Sequence, residues 1–169
     1  MRINYLSNHK FRSNGSILAF AFLLKISIFL YRKSIQMQKI EHIGIAVKDL
    51  AVSIPLFEKL MKTDCYKTET VETEKVKTAF FLTGETKVEL LESTVEGGVI
   101  SKFIEKRGEG MHHIAFEVDN ILEEMTRLSN EGFELLNTEP KTGADNKLVC
   151  FLHPKTTNGV LIELCQSIK

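Results

Sequence analysis

The chain contains no tryptophan, three prolines, three cysteines and no excess of either charge among its 169 residues. Cys65, Cys150 and Cys165 are odd in number and form no CxxC pair. That excludes a disulfide framework and a short-spaced thiolate metal site, and leaves packing thiols in a reducing compartment. There is no GxxxxGK[ST], no strand–GxGxxG–helix and no GxSxG. The phosphate-loop, dinucleotide and nucleophile-elbow chemistries therefore have no carrier. With 43% hydrophobic and 26% charged residues, the chain is neither disordered nor collagen-like. The zero net charge conceals an asymmetry. All 22 acidic residues but only 16 of the 22 basic ones lie in 37–169, a net of −6 there. A net negative domain without a basic run excludes nucleic acid as a partner and has no attraction to an anionic membrane.

Residues 1–36 are different, with six basic residues and no acid. The run from Ile17 to Tyr31 is apolar apart from Lys25 and Ser27, short of the ~20 residues that span a bilayer. Three readings stay open: an upstream start codon with Met37 opening the domain, a membrane anchor or signal, and a transit peptide. The first is favoured, because MQKIEHIGIAV reads straight into a strand. Residues 1–36 are thus expected outside the fold and the domain at 37–169. The location is cytoplasmic, with membrane contact only if 17–31 is a real anchor.

An internal repeat organises the domain. His42-Ile-Gly-Ile-Ala-Val recurs as His113-Ile-Ala-Phe-Glu-Val, displaced by 71. Val88-Glu89-Leu90-Leu91-Glu92-Ser93 recurs as Ile162-Glu163-Leu164-Cys165-Gln166-Ser167, displaced by 74. Each half opens on a His-bearing strand (40–47, 112–118) and continues into a helix (near 50–61 and 120–131). Asp49 and Asp119 are the expected caps and Gly132 the stop. Pro55 is tolerated only in a first turn, which argues for a helix start at Ser53. β-rich runs follow at 76–82 and 87–91, then at 147–152 and 160–165. The order is βαβββ twice: module one spans about 37–95 and module two about 110–169. A linker segment at about 96–109 carries a helix near 99–106. The class is α+β.

Strand alternation assigns faces. Ile43, Ile45 and Val47 share the face that packs on helices; His42, Gly44 and Ala46 share the other, where small residues leave room for a ligand. The same alternation puts His112 on the face opposite His113, as a structural residue. His153 fits binding and turn roles equally well, and His9 falls in the extension. A single strand His or Glu carries little information. His42, Glu89, His113 and Glu163 at equivalent places of both halves point to one divalent-metal site of imidazoles and carboxylates.

These motifs resemble the vicinal-oxygen-chelate superfamily. Within it, HIGIAV, KVELLE, GMHHIAFEV and FLHPK…GVLIEL are similar to the methylmalonyl-CoA epimerases, from about residue 38 to 167. The resemblance implies an open eight-stranded barrel, usually in a homodimer. It makes His42, His113 and Glu163 ligands of one divalent, cobalt-like metal ion per chain, with Glu89 where some members have a Gln ligand. It implies a metal-dependent epimerase interconverting (R)- and (S)-methylmalonyl-CoA in propionate metabolism. The reaction needs an acid/base group on each face of a planar intermediate, which points to Glu163 and Glu89 as catalytic. Some members are thought to place a Glu on the strand at 76–82; this chain has Thr78 there, which leaves the second base open. The alternatives are a glyoxalase-type isomerase acting on a glutathione hemithioacetal, and a metal-free small-molecule-binding protein of the same fold.

The composition break at Met37 yields a first test. A chain starting at Met37 should be soluble, folded and as active as the full chain; an insoluble or unfolded product would put residues 1–36 in the core.

Overall fold

A computed structural model of the chain describes residues 20–27 and 37–168. Residues 20–27 are helical (α1) and fall in a unit separate from residues 37–168. The remainder of the apolar run 17–31, and His9, lie outside the described residues. No helix among the described residues is long and apolar enough to cross a membrane.

The second unit runs β1 (Ile40–Ala46), α2 (Leu50–Met61), β2 (Lys67–Val71), β3 (Val76–Thr83), β4 (Thr86–Ser93), α3 (Val99–Arg107), β5 (Gly110–Glu117), α4 (Ile121–Asn130), β6 (Lys141–Thr142), β7 (Lys147–Leu152) and β8 (Leu161–Ser167). This is βαβββ twice, in one curled eight-stranded half-barrel sheet of order β2-β3-β4-β1-β5-β8-β7-β6. In each half the first strand pairs parallel with the last, β1 with β4 and β5 with β8. The halves join through the antiparallel pair β1–β5. The two copies thus meet where the opening histidines lie.

α2 and α4 cover the outer face, and α3 packs on the inner one against Ala46, Val76 and Leu91. Val47, Leu50, Ala79, Phe81 and Leu90 form one core with Ile54 and Phe57 of α2. Val118, Ile121, Met125, Leu128, Leu152 and Leu164 form its counterpart under α4. Both helix starts are held by the fifth residue of the repeated strand motif, Glu92 or Gln166. Glu92 Oε2 accepts from Leu50 N at 2.7 Å, and Gln166 Oε1 accepts from Ile121 N at 2.7 Å. These side chains satisfy amide donors that have no partner within the helix.

Three expectations are corrected. The first helix starts at Leu50 rather than Ser53, with Asp49 Oδ1 accepting from Ala51 N. Pro55 sits inside it. Pro55 and Ala51 are both exposed, so the carbonyl left without its amide partner meets water. The cap of α4 is Asn120 rather than Asp119; Asp119 instead accepts from Gln38 Nε2 at 2.6 Å. The second strand of each module is β2, a polar edge strand, and the two-residue β6, neither of which the hydrophobic pattern located.

Candidate metal centre

The centre is built by strand register. Across β1–β5, His42 lies opposite Ala115 and Gly44 opposite His113. Across the parallel pairs, Gly44 lies beside Glu89 and Ala115 beside Glu163. Gly44 and Ala115 are repeat-equivalent small residues, and each faces the other half's imidazole. A Cβ on Gly44 would stand 2.2 Å from His113 Cε1.

Four side chains from four strands converge on this space. His42 Nε2 is 2.9 Å from His113 Nε2 and 3.3 Å from Glu89 Oε2. His113 Nε2 is 3.1 Å from Glu163 Oε2. The crossed pairs, His42–Glu163 and His113–Glu89, measure 3.6 and 3.7 Å. All four residues are buried.

Two β-bulges complete the arrangement. The β1–β5 register shifts between Ile40 and His42, and again between Gly44 and Ile45. The first shift leaves Glu41 without a partner residue, the second His112. A bulge breaks side-chain alternation, so the residue before each histidine turns onto the same face. Glu41 Oε2 lies 2.6 Å from His42 Nδ1, and His112 Nδ1 lies 3.0 Å from His113 Nδ1. His112 therefore borders the cavity and buttresses His113, which corrects its assignment to the opposite face. Alternation was the only signal for it, and the bulge removes that signal.

The electrostatics follow from burial and pairing. Burial alone would raise the Glu163 pKa, but hydrogen bonds with His113 and His42 outweigh it and hold the carboxyl at about 2. Burial would lower the His42 pKa; Glu163, Glu41 and Glu89 overcome it and raise it to about 10. Glu89 is pushed up by burial, and His112 is pushed down to about 4 by burial and by His113. Glu41 is held at about 2, because His42 and Lys87 outweigh its burial. Lys87 and Lys147 both bond Glu41. Lys87 also meets Asp145 at 2.6 Å, which ties the β6–β7 loop of module two to β4.

Within this donor set His42, His113 and Glu163 form a compact group that fits a divalent ion, with Glu89 Oε2 3.3 and 3.7 Å from the two imidazoles. With metal–ligand bonds of about 2.1 Å, neighbouring ligand atoms lie about 3.0 Å apart in an octahedron and about 3.4 Å apart in a tetrahedron. The measured separations of 2.9–3.7 Å bracket those values. With each Nδ1–H donating to its bulged neighbour, both Nε2 lone pairs face inward. Lone pairs 2.9 Å apart repel unless a proton or a cation lies between them. A second cluster, Glu41, His42 and Cys165, is also compact. Burial pushes the Cys165 thiol up, and its Sγ donates to Phe116 O at 3.4 Å. It is a packed thiol and not a ligand. His153 resolves to a turn role, with Nδ1 accepting from Lys155 N at 3.0 Å.

The centre opens into a cavity of about 250 Å³, walled largely by apolar side chains such as Val76, Phe80, Leu91 and Phe151. The volume and apolar lining suit a small acyl group beside a polar floor.

Residues 41–151 match the family model of the Glyoxalase/Bleomycin resistance protein/Dioxygenase superfamily. The ethylmalonyl-CoA/methylmalonyl-CoA epimerase of Cereibacter sphaeroides is 38% identical over 130 residues, covering 76% of this chain and 97% of that protein. A variant of Streptomyces coelicolor methylmalonyl-CoA epimerase, solved with 2-nitronate-propionyl-CoA, superposes with a TM-score of 0.75 at 32% identity, covering 79% and 100% of the two chains. A methylmalonyl-CoA epimerase solved with methylmalonyl-CoA and NH4+ gives 0.74 at 33% identity, covering 78% and 96%.

Two substitutions test the centre through ion binding alone. Gly44→Ala should displace the His113 ring and lower divalent-ion affinity, read by titration calorimetry; affinity equal to the parent's would remove His113 from the site. Glu41→Gln keeps an oxygen acceptor but loses the charge that orients His42. It should weaken ion binding about 10- to 100-fold with the fold retained, and an unchanged isotherm would show that His42 needs no such partner.

Proposed function

The chain belongs to the Glyoxalase/Bleomycin resistance protein/Dioxygenase superfamily, and on that footing we propose that it is a metal-dependent epimerase interconverting (R)- and (S)-methylmalonyl-CoA. The observation that carries this reading is the convergence of two imidazoles and two carboxylates at the cavity floor. The likeness to epimerases over most of the chain supports the substrate.

His42, Glu89, His113 and Glu163 hold one divalent ion, cobalt-like in its preferences. When bound, it supplies Lewis acidity that offsets the negative charge developing on the thioester and carboxylate oxygens. The chain's own groups move the proton. Glu163 removes the α-proton on one face of the acyl group, leaving a planar carbanion conjugated with the thioester. Glu89, from the equivalent strand of the other half, delivers a proton to the opposite face, and the configuration inverts. The reverse reaction exchanges the two roles. Burial removes competing water from both carboxylates and keeps the moving proton between substrate and protein. Phe80 and Phe151, each paired in register with one of the two glutamates, flank the reacting space.

The same reading makes the protein a cytoplasmic homodimer serving propionate metabolism. Val52, Leu56 and Leu60, exposed on α2 at four-residue spacing, offer an apolar stripe suited to a second copy.

The test is incubation with (S)-methylmalonyl-CoA in deuterium oxide, with and without a chelator. Racemisation with α-deuterium uptake is expected, and the chelator should abolish both. Glu163→Gln should lower turnover by roughly 10² or more. Glu89→Gln should be milder overall and stop exchange from one epimer only. Unchanged exchange from both epimers would reduce Glu89 to a ligand. Turnover of a glutathione hemithioacetal without any racemisation would overturn the epimerase reading.

A further inference from the structure

Among the described residues, a single buried side-chain polar atom lacks a hydrogen-bond partner, and it is Thr78 Oγ1. Thr78 is 1% exposed and borders the cavity from β3. It pairs in register with Leu91, while Phe80, two residues on, pairs with Glu89. Thr78 therefore lies diagonal to Glu89 on the same inward face. Val76, Leu91 and Ile100 border the cavity beside it, and directly opposite on β2 stands Glu69, whose carboxylate is engaged by Lys67 Nζ and Asp145 N.

The fold does not require a hydroxyl at this point. In the other half Phe151 pairs with Glu163 and Val149 pairs with Cys165. Val149 is thus the repeat counterpart of Thr78, and it too is buried. A β-branched apolar residue serves the second half, whereas the first half buries an unpaired donor, which is unfavourable by itself. The lysine and side-chain amide donors bordering the cavity are engaged. Lys87 and Lys147 bond Glu41, Asn137 Nδ2 bonds Glu139 O, and Lys141 faces Glu74 at 3.6 Å. The Thr78 hydroxyl is a buried donor without a protein partner, which leaves it for a ligand.

We propose that Thr78 is a substrate-contacting, specificity-determining residue whose hydroxyl donates to a carboxylate oxygen of the bound malonyl-type thioester. This rests on the epimerase reading above. The α-substituent of such a substrate is a hydrocarbon and cannot accept. The carboxylate presents two oxygens with about four acceptor positions, and a charged acceptor makes the strongest bond with a buried hydroxyl. The contact also selects against thioesters that lack the carboxylate, because those leave the hydroxyl unpaired.

Calorimetric binding by the ion-loaded full chain separates the two ideas. The probes are malonyl-CoA, whose racemisation is silent, and propionyl-CoA, which lacks the carboxylate. Thr78→Val should leave ligand-free thermal stability unchanged or raised. It should weaken malonyl-CoA roughly 10- to 100-fold and leave propionyl-CoA within about twofold, well under that tenfold threshold. Thr78→Ser should retain the preference for malonyl-CoA. Thr78→Ala, measured beside Thr78→Val, gives a second hydroxyl-free variant should either misfold. Equal malonyl-CoA affinity in parent and hydroxyl-free variants overturns the role of Thr78 and leaves the epimerase reading standing. Equal weakening of both thioesters also overturns it, because the residue then only shapes the cavity. A parent chain that binds neither thioester overturns the epimerase reading and this inference together.

Discussion

Glu89 and Glu163 are buried within 4 Å of two imidazoles, with no lysine or arginine in that inner group. Taking a carboxylate out of water is costly unless opposite charge comes with it. The inner group can obtain that charge as a proton on His42, which its neighbours hold strongly, or as a divalent ion bound by all four side chains. Its surroundings serve the same requirement. Glu41 directs the His42 ring, and Lys87 and Lys147 neutralise Glu41 from behind. The β1–β5 pair keeps the two Nε2 atoms 2.9 Å apart, and the absent side chain of Gly44 leaves space for His113.

The repeat made the architecture legible. Displacements of 71 and 74 relate the same strand positions in both halves, so the sequence alone pairs His42 with His113 and Glu89 with Glu163. It also announces two equivalent βαβββ units that pack on each other. The meeting of those four side chains follows from β1 and β5 lying side by side, which a two-copy repeat with apolar opening strands favours. The outward faces of β1 and β5 were legible for the same reason, since Ile45 and Val47 pack against α2 as alternation requires.

The rest was hidden by departures from periodicity. A bulge changes side-chain parity by one, so strict alternation sends His112 to the wrong face and makes Glu41 an unremarkable strand acid. β2 reads Lys-Thr-Glu-Thr-Val; as an edge strand it needs no apolar face to announce it. β6 has two residues, too few for any period. Asp119 and Asn120 are both competent caps, and the choice falls to Asn120 because Asp119 is taken by Gln38. Pro55 misled in the other direction, since the cost of a missing helical bond falls when the orphaned carbonyl is solvated.

Pseudo-symmetry supplies two similar walls around one acyl group, and departures from it assign different work to each. Inversion at carbon needs groups on two sides of a plane, and under the proposed mechanism two repeated strands provide them in Glu89 and Glu163. A perfectly symmetric site could not hold an asymmetric substrate in one orientation. The chain breaks the symmetry at three places around the centre. A carboxylate backs His42 where a neutral imidazole backs His113. A hydroxyl stands at Thr78 where a methyl group stands at Val149. A charged bridge through Asp145 closes one flank, from Lys67 and Lys87 of module one to the β6–β7 loop. The first difference makes the His42 ring more electron-rich than the His113 ring. The second makes one wall able to donate a hydrogen bond, and the third fixes the loop bordering that wall. Together they distinguish the two sides of the cavity, so a substrate with a carboxylate at one end and a thioester at the other meets two unlike halves.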